Sequence, residues 1–341
     1  MKALTLKKHD GLVTTDVPKP IPGPDELLVK TKAATICTSD INDMKYNPFN
    51  IALPVIMGHE GAGTVEAVGE LVAGFKPGDE ITAHPVIPCK QCESCKSGLE
   101  HLCDDMTHFG INKGGVFAEY FTIRSDRARK KPEELTFAQS ALMEPVCVCI
   151  EGIERAAVKE GGNVLVLGDG PFGVMTSKLC QSYKPGKVIL TGRHPFRMSV
   201  AGNGGAVQTI NERLTDNITG DILELTGGRG VDSAIMCVGS NSAAEAAIAV
   251  LRPRGTLSVF SPPEGGKANI DLFRVHVKEL NICGSCNDMD CLDKALELLC
   301  DKSLNLQSVI THEFAFDEWR KAFNIAEKGK DEALKVAMIF D

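Results

Sequence analysis

The sequence predicts an α/β protein in two parts, a β-rich antiparallel domain and a doubly wound parallel sheet. Three observations predict it. Residues 1–145 are rich in Gly, Pro and β-branched residues and break into short strand-like runs separated by turn signals such as "PGPDE" and "KPGDE". From "GGNVLVLGDGPFGVMTSKLCQ" onward, apolar runs of strand length alternate with helical patterns, the rhythm of a parallel sheet covered by helices. No repeat, low-complexity tract or long linker interrupts the two patterns.

In the first part, "ELLVKTKAATI" and "GAGTVEAVG" read as strands. In the second, the order is "NVLVLG", a helix, "KVILTG", a helix ending near "GGAVQTI", then "VDSAIMCVG", "AAEAAIAVLRP", "GTLSVF" and "LNICGS". The last stretch, from "CLDKALELLCDKSL" to "VAMIFD", reads as helices and a closing strand that return to the first part. The expected domains are therefore 1–145 with 285–341, and 146–284.

Composition limits the function classes. The 341 residues carry 43% hydrophobic and 24% charged residues, enough for two buried cores. A net charge of −8 gives no electrostatic reason to bind nucleic acid or an anionic membrane. Charged residues interrupt every apolar run before the ~20 residues a membrane helix needs, and "MKALTLKKHDG" lacks the apolar core of a signal peptide. A cytoplasmic location is expected, with the thirteen cysteines as reduced thiols or metal ligands rather than disulfides.

Four of those cysteines, Cys89, Cys92, Cys95 and Cys103, lie within "PCKQCESCKSGLEHLC". This C-x2-C-x2-C-x7-C spacing suits one tetrahedral zinc, and four sulfur ligands leave no open position, so the site is structural. A nucleic-acid-binding ribbon is disfavoured because only Lys90 and Lys96 are basic between the first and last cysteine. The run also lacks the Cys-Pro ending of a ferredoxin-type cluster. Cys147, Cys149, Cys180, Cys237, Cys283, Cys286, Cys291 and Cys300 have no metal-site spacing and read as reduced thiols.

Chemistry must lie elsewhere. "ICTSD" supplies Cys37, Ser39 and Asp40, "GHEGAG" supplies His59 and Glu60, and "LMEPVCVC" supplies Glu144. A thiolate, an imidazole and one or two carboxylates leave room for water or substrate, as a catalytic zinc requires. Gly168-x-Gly170-x-x-Gly173 follows a predicted strand and opens a helix through Pro171 and Phe172, the context of a Rossmann dinucleotide site. About 20 residues on, where an acid for the ribose 2′-hydroxyl is expected, the chain has Gly192, then Arg193, with His194 and Arg197 close by. Loss of the acid and gain of guanidinium favour NADP(H) over NAD(H). Val238, Gly239, Ser258 and Phe260 fall at strand ends that would line the nicotinamide.

Taken together, Cys37-x-Ser39-Asp40, Gly58-His59-Glu60-x-x-Gly63, the four-cysteine run, Glu144-Pro145 and the glycine motif resemble the zinc-dependent medium-chain dehydrogenase/reductase superfamily over nearly the whole chain. Glu144 stands where the liver-type alcohol dehydrogenases have a cysteine, so the chain is more similar to the sorbitol and threonine dehydrogenase branch. The resemblance implies a GroES-like catalytic domain beside the Rossmann domain and two zinc ions per chain. It implies a catalytic zinc on Cys37, His59 and either Glu60 or Glu144, with Glu60 the expected direct ligand and Glu144 a ligand or water-mediated neighbour.

It further implies that Asp40 accepts the other ring N–H of His59, that Ser39 passes on a proton, and that hydride moves between an alcohol and a nicotinamide. Relatives continue the relay with a histidine where this chain has Asn42, an amide that cannot titrate.

The expected substrate is a secondary alcohol or ketone, a polyol, sugar or sugar derivative, because carboxylate in place of thiolate makes a harder site that accepts additional oxygen ligands. The arginine that sorbitol dehydrogenases carry after the strand matching "LNICGS" is absent from "CGSCNDMD". A hydroxy-amino acid or a simple alcohol with NAD are the alternatives; a zinc-free reductase and a zinc- and nucleotide-binding scaffold are the rival classes. Thr38, Tyr46, Phe49, His108 and Phe109 are pocket candidates. A dimer or tetramer of the chain is also expected from the resemblance.

Overall fold

The computed structural model describes residues 1–9, 11–48, 50–202, 205–329 and 332–341; Phe49 lies outside them. The chain divides into two compact units, Met1–Pro145 with Met289–Cys300 and Ile310–Asp341, and Val146–Asp288 with Asp301–Val309.

The first unit begins with β1 (Lys2–Lys7), β2 (Gly11–Asp16), β3 (Glu26–Thr35), α1 (Thr38–Tyr46), β4 (Val55–Ile56), β5 (Glu60–Val68) and β6 (Glu80–Ala83). There follow β7 (Val86–Ile87), α2 (Glu93–Lys96), β8 (Thr107–His108), β9 (Tyr120–Arg124), β10 (Ala128–Lys130) and α3 (Phe137–Ser140), and α4 (Met143–Arg155) passes into the second unit after Pro145. The second unit adds β11 (Asn163–Leu167), α5 (Pro171–Leu179), β12 (Lys187–Gly192), α6 (Pro195–Gly202), β13 (Val207–Asn211) and α7 (Ile218–Leu225). It closes with β14 (Val231–Met236), α8 (Asn241–Val250), β15 (Leu251–Val259), α9 (Leu272–Val277) and β16 (Asn281–Gly284). The chain then returns to the first unit with α10 (Leu292–Cys300), β17 (Ile310–Ala315), α11 (Trp319–Lys328) and β18 (Lys335–Ile339).

The first unit is organised around β3. Seven of its ten residues, ELLVKTKAAT, are buried; β5 pairs along one edge, while β9 and then β18 share the other, all antiparallel. Leu27, Val29, Ala34, Phe117, Phe121, Ile123, Val336 and Met338 meet in the core behind this sheet. Such burial, at about 1.5–3 kcal/mol per large apolar side chain, holds the strand ends from which the functional side chains project.

In the second unit all six strands are parallel, in the order β13-β12-β11-β14-β15-β16. That is the doubly wound Rossmann order, with its switch point between β11 and β14. Val164–Leu167 and Val188–Leu190 are buried on both faces, as a parallel sheet covered by helices demands.

Two details differ from the sequence reading. β13 is a strand where the reading ended a helix; only Val207 is fully buried in it, so an edge strand leaves little apolar signal. Residues 285–288 and 301–309 pack with the second unit rather than the first. Leu306 and Val309 are buried there, and Lys178 donates to the Leu304 carbonyl at 3.5 Å.

Candidate functional site

The end of β3, the start of α1, the start of β5 and the start of β18 meet in the first unit. Thr35 lies opposite Glu60 in the β3–β5 ladder, so Cys37, two residues on, sits beside His59 and Glu60. The ligand atoms of Cys37, His59 and Glu60 all lie within 4.8 Å of one another, and all three residues are buried. Sulfur, nitrogen and oxygen donors so arranged suit a zinc ion with an open position. Asp40 does two jobs at once. Its Oδ2 accepts from the Cys37 backbone N–H at 2.9 Å, and its Oδ1 lies 3.2 Å from His59 Nδ1. That turns Nε2 of His59 toward the open side, where Ser39 Oγ lies 3.5 Å away. Burial opposes a charge on His59, yet the Asp40 carboxylate and Cys37 sulfur together hold its pKa well above the ordinary value.

Glu60 is held as well as placed. Its carboxylate accepts from Thr35 Oγ1 and from both approaches of the Lys335 ammonium, at 2.6 Å for Oε2. Lys335 is itself buried and also reaches the Ile36 carbonyl at 3.4 Å. Burial works against its charge, but Glu60, Cys37 and Glu144 outweigh it and raise its pKa. Glu144 is buried in the first turn of α4, near enough for this effect. It is outside the set of donors that converge within 4.8 Å. Lys335 opens the closing strand as a single charge before "VAMIF"; that placement gave no sign of a site.

The pocket candidates separate. His108 stands beside the His59 ring, centroids 5.8 Å apart, and its Nδ1–H donates to the Phe109 carbonyl at 2.7 Å. Burial first, then the neighbouring His59, depresses its pKa to about 4, so it is neutral. Phe109 is wholly buried against Phe121 and belongs to the core. Tyr46 is 74% exposed, and Thr38 and Asn42 are exposed on α1.

The four-cysteine run folds into a separate knuckle. The sulfur atoms of Cys89, Cys92, Cys95 and Cys103 lie within 4.8 Å of one another, with Cys89–Cys95 at 4.0 Å and Cys92–Cys103 at 3.8 Å. Disulfides need about 2.05 Å, whereas four sulfurs each about 2.3 Å from zinc stand about 3.8 Å apart. Backbone N–H groups of Gln91 and Cys92 point at Cys89 Sγ, and that of Cys95 at Cys92 Sγ. The two donors on Cys89 lower its pKa to about 7, toward the thiolate a metal takes. A clamp of Arg124 and Lys90 on Asp126, at 2.6–2.9 Å, anchors the knuckle, and Arg124 also donates to the Pro88 carbonyl.

In the second unit the glycine motif lies where β11 ends and α5 begins. Gly168 has φ +105°, and a Cβ on Gly173 would lie 1.8 Å from the Gly168 carbonyl oxygen, so neither position admits a side chain. A Cβ on Gly170 would meet nothing within 4 Å. That open cradle at a helix N-terminus fits a pyrophosphate. Val238 packs against Gly168 across the switch point, followed by Gly239. Phe172 and Phe260 meet with ring centroids 5.1 Å apart, and Ser258 is buried in β15.

At the end of β12 the picture is different from a bare guanidinium patch. A Cβ on Gly192 would fall 2.4 Å from Asp169 Cβ. Asp169 Oδ2 accepts from the backbone N–H of Arg193 at 2.7 Å and of His194 at 2.6 Å, with the His194 ring at 3.1 Å. The Arg193 guanidinium pairs with Glu212 at 2.9 Å. Arg197 is partly buried, which lowers its pKa against the opposing pull of Asp169. The spacing rule points to residue 192, and the acid lying beside that position is Asp169, inside the glycine motif.

Residues 23–133 match the model of the alcohol dehydrogenase GroES-like domain, and residues 171–301 that of the zinc-binding dehydrogenases. A sorbitol dehydrogenase of Halalkalibacterium halodurans is 30% identical, covering 99% of this chain and 99% of its own length. An L-threonine 3-dehydrogenase of Shewanella frigidimarina is 30% identical, covering 97% of each. A solved structure from Sinorhizobium meliloti 1021, described as a zinc-binding dehydrogenase bound to NADP, is similar with a TM-score of 0.92 at 29% identity, covering 99% of this chain and 98% of that one. Among the described residues no helix is long and apolar enough to cross a membrane.

Proposed function

Because the chain belongs to the zinc-dependent medium-chain dehydrogenase/reductase superfamily, with a GroES-like domain and a Rossmann domain, we propose that it moves a hydride between a nicotinamide dinucleotide and a secondary alcohol or ketone, a polyol, sugar or sugar derivative. The observation that carries this is the convergence of Cys37, His59 and Glu60 within 4.8 Å. A zinc ion bound there would supply Lewis acidity to a substrate oxygen, and the nicotinamide would supply the hydride acceptor.

The chain's own residues do the rest. Cys37, His59 and Glu60 hold the ion, with Glu144 beside them as ligand or water-mediated neighbour. Asp40 fixes the ring of His59 and makes it a better donor. Ser39 takes up the substrate proton from its place beside Nε2; Asn42 cannot carry it further, so either water takes over or the proton leaves by another route. Neutral His108 lines the pocket and adds no charge to it. Cys89, Cys92, Cys95 and Cys103 hold a second, structural zinc. A carboxylate in the donor set suits vicinal oxygens, and the sorbitol dehydrogenase relative supports a polyol. The threonine dehydrogenase relative, equally similar, supports a hydroxy-amino acid as the second reading.

For the dinucleotide, Gly168, Gly170, Pro171, Phe172 and Gly173 would hold the pyrophosphate, with Val238, Gly239, Ser258 and Phe260 toward the nicotinamide. The preference between NADP(H) and NAD(H) is pulled two ways: Arg193 and the NADP-bound neighbour support the first, the Asp169 and Glu212 pairings the second. A homo-oligomer also belongs to this reading. It is supported by β16, which ends the sheet among the described residues, and by Leu272, Phe273 and Val277 exposed on α9.

Initial rates across polyols, sugars, hydroxy-amino acids and simple alcohols, with NAD and NADP side by side, test the proposal. Turnover of a vicinal diol supports it. Turnover of simple primary alcohols alone, or of L-threonine alone, replaces the substrate class.

A further inference from the structure

We infer that Asp169, carried by the glycine-rich turn, reads the 2′ position of the adenosine ribose and selects NAD(H) over NADP(H). The inference rests on the reading that the second unit binds a nicotinamide dinucleotide. In a doubly wound sheet the acid that accepts from the ribose hydroxyl stands at the end of the second strand. Here that strand is β12 and its last residue is Gly192. A Cβ there would lie 2.4 Å from Asp169 Cβ and 2.6 Å from Oδ2. Two side chains cannot share that volume, so the missing acid at 192 and the extra acid at 169 are one substitution in space. The carboxylate has moved by 23 positions in sequence (192 − 169) and kept its place at the strand end.

The pairings there disfavour a 2′-phosphate. Backbone N–H groups that follow the strand are the donors that would cradle one. Those of Arg193 and His194 already donate to Asp169 Oδ2, at 2.7 and 2.6 Å. The Arg193 guanidinium, which would otherwise meet a phosphate, is matched by Glu212 at 2.9 Å. Arg197 stays protonated, and Asp169 is the carboxylate that favours its charge. A phosphate would bring close to two negative charges against two carboxylates. A 2′-hydroxyl instead donates to Asp169 Oδ1, whose other contact is the His194 ring at 3.2 Å. The Asp169 side chain keeps 10% of its surface open for that bond.

The test is equilibrium binding of NADH and NADPH to the zinc-loaded protein, followed by the fluorescence of the reduced nicotinamide. NADH is expected to bind about tenfold more tightly or better, the scale set by like charges at close range. Asp169→Ser is expected to shrink that ratio about tenfold, chiefly by strengthening NADPH. Glu212→Gln leaves the Asp169 contacts in place and frees Arg193; it is expected to strengthen NADPH several-fold and leave NADH unchanged. If Asp169→Ser does not fold, the ratio in the unaltered protein and the Glu212→Gln result decide between them. Tighter NADPH than NADH in the unaltered protein, or a ratio that neither variant moves, overturns the assignment to Asp169. Failure of both dinucleotides to bind the unaltered protein overturns the dinucleotide reading itself, and the inference with it.

Discussion

Lys335 Nζ lies 2.6 Å from Glu60 Oε2, a fully buried ion pair whose members are 275 positions apart in the chain. The sheet explains it: β18 pairs with the end of β3, and β3 pairs with the start of β5. Removing one partner leaves the other charged in a dry site. Lys335→Met is therefore expected to cost about 3–5 kcal/mol of stability, read as a lower urea midpoint. Glu60→Gln with Lys335→Met should cost much less than the two single changes added together. Strict additivity of the two would show that the ammonium is not what balances Glu60.

The two thiolate sites should separate by metal analysis. Cys37→Ser is expected to lose the ion held with His59 and to abolish turnover, while the four-cysteine knuckle keeps its own. Cys103→Ser should show the converse loss, with a lower melting temperature and turnover retained in the folded fraction, because a four-sulfur site has no open position for substrate. Loss of activity at unchanged Tm in Cys103→Ser would assign chemistry to the knuckle.

His108 gives a pH signature. Its pKa in the folded protein is about 4 against 6.5 for a free histidine, burial being the main cause and His59 the next. The unfolded chain thus takes up a proton near pH 6.5 that the native state refuses until about pH 4. Stability contributed by neutral His108 is whole above 6.5 and falls as pH drops through that window. His108→Gln should flatten the fall between those pH values in urea titrations. An unchanged profile would mean that the ring protonates as freely folded as unfolded.

Gly192→Ala should destabilise the protein. The new Cβ would approach Asp169 Cβ to 2.4 Å, and overpacking of this kind costs about 1–3 kcal/mol. Combined with Asp169→Gly, the same change should cost little, since the competing side chain is gone. Thermal melts of the three variants check it; full stability of Gly192→Ala alone would show that the turn carrying Asp169 gives way freely.

The sequence by itself determined much of this protein. Hydrophobic periodicity marked the parallel strands because both of their faces are buried, and local spacing marked the four-cysteine knuckle and the glycine turn because their ligands and donors lie within a few residues of each other. Cys37 and Asp40 lie close for the same reason, the capping contact between them spanning three positions, whereas His59 joined them only through the order of the motifs and the family resemblance.

What only the tertiary structure decided involved long-range pairing. Lys335 reaches Glu60 through the β18–β3–β5 register, and no local pattern distinguishes a buried lysine at a strand start from a solvated one. Asp169 takes the space of residue 192 because parallel strands β11 and β12 end side by side. Sequence spacing counts positions along the chain, whereas a carboxylate acts from where it sits in space, and two neighbouring strand ends can deliver it to the same place.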